Sequence, residues 1–250
     1  DKMFKKLMLV TPSVLYILFF LLVWEILVSI WQTNSRILPP PSSILQVIYS
    51  NWDVLLPHVL QTLLEASIGF VVASIIGFLL TILIDINPHI RSSIYPILII
   101  SQTVPIIALA PLLLLWFGFG LLPKIIVVTL YCFFPIVIAG TDGLTKTEIE
   151  FSKLLRSMNA TYWQGLWFVR LPRSMPSFFS GLKIAATYSV TGAIVGEFVG
   201  AYQGLGVFMQ RAANSYSVNY VFAGILITVF LSLLIFRIVI FLEHIFLIRN

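Results

Sequence analysis

The stretch "LQTLLEASIGFVVASIIGFLLTILI", residues 60–84, contains one ionisable side chain, Glu65, among apolar and small uncharged residues. As a helix, a hydrophobic run of about 18 residues or more is long enough to cross a bilayer core of ~30 Å. Gly69, Ala73 and Gly77 recur every fourth residue along it. Small residues at that spacing lie on one helical face and let another backbone approach closely. Packing within one subunit is the plain reading of this stripe; lining a path or a dimer seam is the other.

The same logic, carried outward, places six spans at about 7–31, 60–84, 94–116, 123–143, 178–200 and 220–243. The 250-residue chain is 59% hydrophobic and only 10% charged. That composition describes a multi-pass membrane protein rather than a soluble domain. The net charge of +5 does not indicate a nucleic-acid binder, because the basic residues flank apolar runs. The run after Lys5-Lys6 is longer than a signal-peptide core and reads as a retained span. Cys132, the one cysteine, lies in an apolar run as a small core residue and excludes an intrachain disulfide or Cys-based zinc site. No metal, cofactor or catalytic residue is expected.

An even number of spans places both termini on one side. With that side cytoplasmic, the inner segments and span ends hold Lys2, Lys5, Lys6, Arg91, Lys146, Lys153, Arg156, Arg170, Arg173, Lys183, Arg237 and Arg249. Outside remain Arg36, Lys124 and Arg211. Twelve against three satisfies the positive-inside rule, so both termini are expected in the cytoplasm.

Three further segments stand out. "SQTVPIIALAP" sets Gln102, Thr103, Pro105 and Pro111 inside the third span, after Pro96. Each proline removes an amide donor and crowds the preceding turn, and broken backbone at that depth must be buried in protein or line water. Gln102 and Thr103, with Ser189 of the fifth span, are therefore candidates to line a path. Small residues recur again at Gly181, Ala185, Ser189, Gly192, Gly196 and Gly200. Glu197, between two of these glycines, reads either as a carboxylate paired with Arg211 or a backbone amide, or as an outer gate or a path contact for a solute with amino groups. Between spans one and two, Pro39–Pro41 enforce extended chain, and Ser43-Ile44-Leu45-Gln46 suits the capped start of a short surface helix.

The inner segment 144–177 is the most polar part of the chain. Thr147-x-x-Glu150 and Thr161-x-x-Gln164 are capping-box patterns, with Phe151, Leu154, Leu155 and Met158 forming one apolar face between them. Asn159 suits a left-handed residue ending the first helix. Trp163, Leu166 and Trp167 share a face of the second, which should stop near Leu171 because Pro172 follows. Such a helix pair either lies on anionic lipid or projects to engage a partner. The two caps around a tight turn favour the projection.

This segment resembles the cytoplasmic signature of permease subunits of bacterial ABC importers: Glu-Ala-Ala, three residues, Gly, nine residues, Ile, one residue, Leu-Pro. Leu171-Pro172 matches its end, Val169 stands at the Ile, Asn159 at the Gly and Lys153-Leu154-Leu155 at Glu-Ala-Ala. The acidic position and the glycine are thus replaced. "RILPPPSSILQVI", "QTVPIIALAPLLLLWFGFGLLPKI", "FFPIVIAGTDGL", "LPRSMPSFFSGLKIA" and "GEFVGAYQGLG" extend the likeness to the nitrate/sulfonate/taurine class over most of residues 35–240. "SGLKIAATYSVTGAIVGEFVGAYQGLG" is similar to members linked to pyrimidine precursors of thiamine; sulfonate, taurine, nitrate and riboflavin permeases are the neighbouring alternatives.

The resemblance implies one all-α permease domain over 1–250, with the six-helix type I importer fold, in a bacterial cell membrane. It further implies a second permease subunit, two cytoplasmic ATPases, which bind the ATP, and an external solute-binding protein. Lys153, Arg156, Ser157, Met158, Asn159, Ala160 and Thr161 would then couple to the ATPase. The chain itself has no Gly-x-x-x-x-Gly-Lys-Ser/Thr loop. An intramembrane enzyme lacks its motifs, since neither His-Glu-x-x-His nor Gly-x-Ser-x-Gly occurs. An ion-coupled transporter would need midplane carboxylates, whereas Glu25, Glu65 and Glu197 fall near outer span ends. A membrane scaffold using the basic loop for docking is the remaining rival.

Overall fold

The structure, a computed structural model, describes residues 2–30 and 37–248. Trp31, Arg36 and Arg249, which entered the span and charge readings, lie outside them. The described residues form helices joined by short turns: α1 (Lys2–Ile30), α2 (Pro41–Ser50), α3 (Trp52–Ile86), α4 (Pro88–Ser101), α5 (Ile106–Phe117), α6 (Leu121–Ser157), α7 (Tyr162–Gly165), a π-helical turn (Leu166–Arg170), α8 (Leu171–Glu197), α9 (Leu205–Asn214) and α10 (Val218–Ile248).

Helix α6 is the axis of the bundle, and the small-residue stripes explain why. A Cβ on Gly69 would lie 2.5 Å from Val128 Cβ, and one on Gly77 would lie 2.8 Å from Ile136 Cγ2. On the other flank Gly181 abuts Pro135 and Ala139, Gly192 abuts Val128, and Gly196 abuts Lys124. Both stripes are therefore spent on packing within the subunit. Overpacking so tight a seam costs about 1–3 kcal/mol per site. Gly200 does not belong to the stripe: α8 ends at Glu197, and Gly200 sits in the following turn at φ +81°.

The pairing also fixes direction. Glu65 lies beside Lys124, Gly69 beside Val128, Gly77 beside Ile136 and Thr81 beside Gly140, each partner 59 positions further on. A constant offset means that α3 and α6 run parallel. The chain must recross the bundle between them, and only α4 and α5 lie in that interval. These two helices are bent by 94° and together satisfy the length and composition of a single span.

Among the described residues, four helical segments are individually long and apolar enough to cross a membrane: Trp52–Ile86, Leu121–Ser157, Tyr162–Glu197 and Val218–Leu247. Counted as one span, the broken pair makes a fifth. The first expected span corresponds to α1, whose apolar segment Val14–Ile30 is shorter than these. On α10 only a stripe including Ala223, Ile227, Leu231, Ile235 and Val239 is buried, while Val229, Phe230 and Leu233 face outward. A helix apolar on all sides meets protein on one face and hydrocarbon on the other.

The short surface helix α2 begins at Pro41, earlier than its Ser43 signal indicates. Proline at the first helical position loses nothing, because that amide has no helical acceptor. Glu25 of α1 supplies the anion at this N-terminus, accepting from the Ser42 amide (3.0 Å) and hydroxyl (2.7 Å).

Candidate functional site

The end of α6 and the start of α7 form one tight, exposed turn. Asn159 adopts φ +52°, the left-handed conformation. The Ala160 amide donates to Leu155 O (3.0 Å) and the Asn159 amide to Arg156 O (3.1 Å). These two bonds define a Schellman motif, which satisfies carbonyls that the helix end would otherwise orphan. Immediately after it, Gln164 N–H donates to Thr161 Oγ1 while Thr161 N–H donates to Gln164 Oε1, closing a reciprocal capping box. Lys153, Arg156, Ser157, Met158, Asn159 and Thr161 are exposed, and Ala160 is half-buried. The seven residues thus share one small knob, fixed from both sides.

What surrounds the knob differs from the local reading. Thr147 caps nothing: α6 passes through it without a break, and its buried hydroxyl donates within its own helix, to Leu144 O (2.9 Å) or Gly143 O (3.1 Å). The apolar face splits as a result. Leu155 packs against Gly165, Phe151 lies under the Arg173 guanidinium, and Leu154 and Met158 point outward. Nor does the second helix stop before Pro172. The Leu171 amide reaches Leu166 O across the π-helical turn, and the helix continues with Pro172 near the start of α8. A π-turn inserts one extra residue, and that change of register lets the helix pass a residue without an amide donor. Leu166 is buried while Trp163 and Trp167 are exposed, so these three do not share a face.

Behind the knob lies a cluster that sequence reasoning did not anticipate. Asp85, the penultimate residue of α3, accepts from Tyr162 Oη (2.8 Å) and from Arg170 Nη2. Both side chains of the Asp85–Arg170 pair are almost fully buried. Arg170 Nη2 also lies 3.5 Å from Glu148 of α6, which is equally far from Arg91 of α4. The only sequence signal was a lone carboxylate closing an apolar helix.

A second buried cluster lies at the opposite end of the bundle. Lys124 Nζ donates to Glu65 Oε1 (2.7 Å), which also accepts from Gln61 (2.7 Å). Glu197 lies 2.6 Å from Thr62 Oγ1 and accepts from the Gly206 amide. Thr62 Oγ1 accepts from the Leu205 amide, and His58 Nδ1 meets the Gly204 backbone at 3.0 Å. Of the two partners expected for Glu197, the backbone amide is the one found; Arg211 instead reaches Tyr202 O (3.4 Å).

The four path candidates are not gathered together. Gln102 and Thr103 are exposed at the α4–α5 break. Pro105, not Pro96 or Pro111, sits at this break, capping α5, while the other two are accommodated inside their helices. Ser189 is wholly buried, donating to Ala186 O (2.8 Å), and Glu197 is held in the cluster just described.

Comparison with known proteins gives the chain a family. Residues 69–245 fit the family model described as "Binding-protein-dependent transport system inner membrane component". The chain is 37% identical over 237 residues to the formylaminopyrimidine transport permease protein ThiX of Halalkalibacterium halodurans, covering 92% of this chain and 93% of that one. It is 35% identical over 224 residues to a probable ABC transporter permease protein of Haemophilus influenzae, covering 90% and 91%. The taurine transport system permease protein TauC of Escherichia coli is 26% identical, covering 90% and 85%. With the family match spanning more than half of the chain and these relatives aligned nearly end to end, the protein belongs to the binding-protein-dependent transport system inner membrane components, the multi-pass permeases of ABC importers.

Proposed function

We propose that the chain forms the solute pathway of an ATP-driven importer and couples that pathway to cytoplasmic ATPase subunits through residues 153–161. In this reading α1 completes six spans, and both termini and the knob face the cytoplasm. A second permease copy, two ATPases and an external binding protein complete the machine, with ATP held by the ATPases. The observation that carries the reading is the knob itself, because a motion can be transmitted only through a part that does not yield. The Schellman motif on one side and the capping box on the other make it such a part. Its exposed face combines apolar Leu154, Met158 and Trp163 with cationic Lys153 and Arg156. The ATPase groove that fits it is apolar with an acidic rim.

The pathway is assigned to the α4–α5 break. Its exposed residues are Gln102, Thr103, Val104 and Pro105. Non-helical backbone cannot face hydrocarbon, so the break must meet water or a second subunit. A path bordered by neutral polar groups without a cation suits a neutral heterocycle better than a sulfonate or nitrate. We therefore assign a formylaminopyrimidine-like solute, the cargo named for the relative at 37% identity. Glu197, locked to Thr62 and Gly206, acts as an outer structural latch rather than a solute contact.

Reconstitution of the permease with its ATPase and binding protein in proteoliposomes tests the reading. ATP-dependent accumulation of labelled formylaminopyrimidine, absent with taurine, is expected. Uptake of taurine alone would reassign the solute. Uptake driven by an ion gradient without ATP would overturn the importer reading.

A further inference from the structure

We propose that Asp85 is the positioning residue that makes the docking knob rigid against the membrane bundle, so that force reaching the knob enters α3. The inference rests on the reading of residues 153–161 as the ATPase contact. Its own basis is a juxtaposition absent from any local sequence pattern. One carboxylate, on the last turn of α3, binds both ends of the segment that follows the knob: Tyr162 at its start and Arg170 at the close of the π-helical turn.

The geometry leaves this carboxylate little freedom. The Asp85 and Arg170 side chains are 4% and 6% exposed, so their charges have almost no water to fall back on. Removing Asp85 leaves the buried Arg170 with only Glu148, half-exposed and 3.5 Å away, as counter-charge, and a buried charge so poorly compensated is costly. The Arg170 guanidinium also sits 5.8 Å from the centre of the Tyr162 ring, so Asp85, Arg170 and Tyr162 form a closed triangle. Glu148 extends it to α6 and Arg91 extends it to α4. Three spans thereby converge on the base of the knob.

The π-helical turn explains why a clamp is needed there. Between Thr161 and Glu197 the helix is regular except at Leu166–Arg170, where the wider i→i+5 bonding interrupts it. Arg170 Nε is buried there without a hydrogen-bond partner. A push on the knob is either absorbed at this irregular turn or passed on, and the bonds from Asp85 to Tyr162, ahead of the turn, and to Arg170, its last residue, remove the first option. The load then enters α3, a continuous helix. Glu65 lies twenty positions earlier on it, about 30 Å away along the axis. There Thr62 and Glu65 hold α6, α8 and the start of α9 through Lys124, Glu197 and the Leu205 amide. The knob and the far end of the bundle are thus attached to the same rod.

The test is the number of solute molecules imported per ATP hydrolysed, measured on the full importer in proteoliposomes, beside recovery of ATPase with the permease. Asp85→Asn should retain the ATPase and its hydrolysis but lower import per ATP by about fivefold or more. Tyr162→Phe, which removes only one hydroxyl from the triangle, should lower it by about twofold. An unchanged ratio in Asp85→Asn, even with both rates reduced in parallel, would show a merely structural pair and overturn the proposal. If Asp85→Asn fails to assemble, Tyr162→Phe decides: a lowered ratio sustains the clamp and a wild-type ratio refutes it. Asn159→Val in the same assay separates the two layers. If it lowers the ratio while Asp85→Asn does not, only the clamp fails. If it changes neither ATPase recovery nor the ratio, the docking reading fails and the clamp with it.

Discussion

Replacing Asn159 with valine tests the proposed docking role of the knob at the point where its shape depends on one dihedral angle. Asn159 holds φ +52°, and the Schellman bonds from the Asn159 and Ala160 amides exist only while it does. For an L-residue the left-handed conformation costs roughly 1–2 kcal/mol. Asparagine tolerates it better than most, and a β-branched side chain is the worst case. Asn159→Val therefore destabilises the docked shape by about 1–2 kcal/mol, a factor of 5–30 in its population. Asn159→Gly moves the other way or not at all, since glycine populates positive φ freely. The side chain is exposed, so neither change disturbs the bundle core. The assay is binding-protein-stimulated ATP hydrolysis and uptake in proteoliposomes at matched permease levels. Uptake should fall roughly five- to thirtyfold for valine and stay near wild type for glycine. Equal activity of the two variants, or loss of the valine protein from the membrane, would refute the argument that turn shape is what the ATPase reads.

Three further outcomes follow from the same structure. Ser157→Cys should resist membrane-impermeant thiol reagents in intact cells while Tyr49→Cys, at an 88% exposed position, reacts; buried Cys132 stays silent in both, and the reverse pattern would invert the topology. Gln102→Leu and Thr103→Trp, at the exposed α4–α5 break, should reduce uptake at least several-fold with assembly intact, and wild-type uptake by both would remove the break from the path. Gly204→Ala combines backbone strain at φ +134° with a Cβ that falls onto the Glu197 carboxylate, a loss of about 2–6 kcal/mol; an unchanged unfolding midpoint of the purified permease would contradict the latch.

The features legible in the sequence were those whose cause lies within a few residues. The knob belongs to this class, because Asn159 and the Thr161–Gln164 box act on their own backbone. The Thr147–Glu150 pattern has the same local grammar, yet it lies inside α6. There Gly143 packs on Ser174 and Ser177 of α8 and fixes the helix before any cap can act. Pro172 failed as a stop for a related reason: the π-helical turn absorbs its missing donor, and nothing local to Leu171-Pro172 announces that turn.

The buried charges were unreadable in a more instructive way. Glu65 and Lys124 are 59 positions apart, and no periodicity within either helix pairs them. The glycine stripes do, once their partner is known. Gly69 seats on Val128 and Gly77 on Ile136, both at that same offset, and one turn earlier on each helix the offset brings Glu65 to Lys124. The antiparallel contact of Gly196 with Lys124 then delivers Glu197 to the same place from α8. An uncompensated carboxylate at either position would be costly in so dry a seam. The ion pair is therefore a consequence of the helix register and also a constraint on it. A slip of one turn in the α3 stripe would carry Glu65 away from Lys124, and one in the α8 stripe would carry Glu197 away from Thr62. Small residues make the close approach possible, and the register adopted is one that also pairs the buried charges.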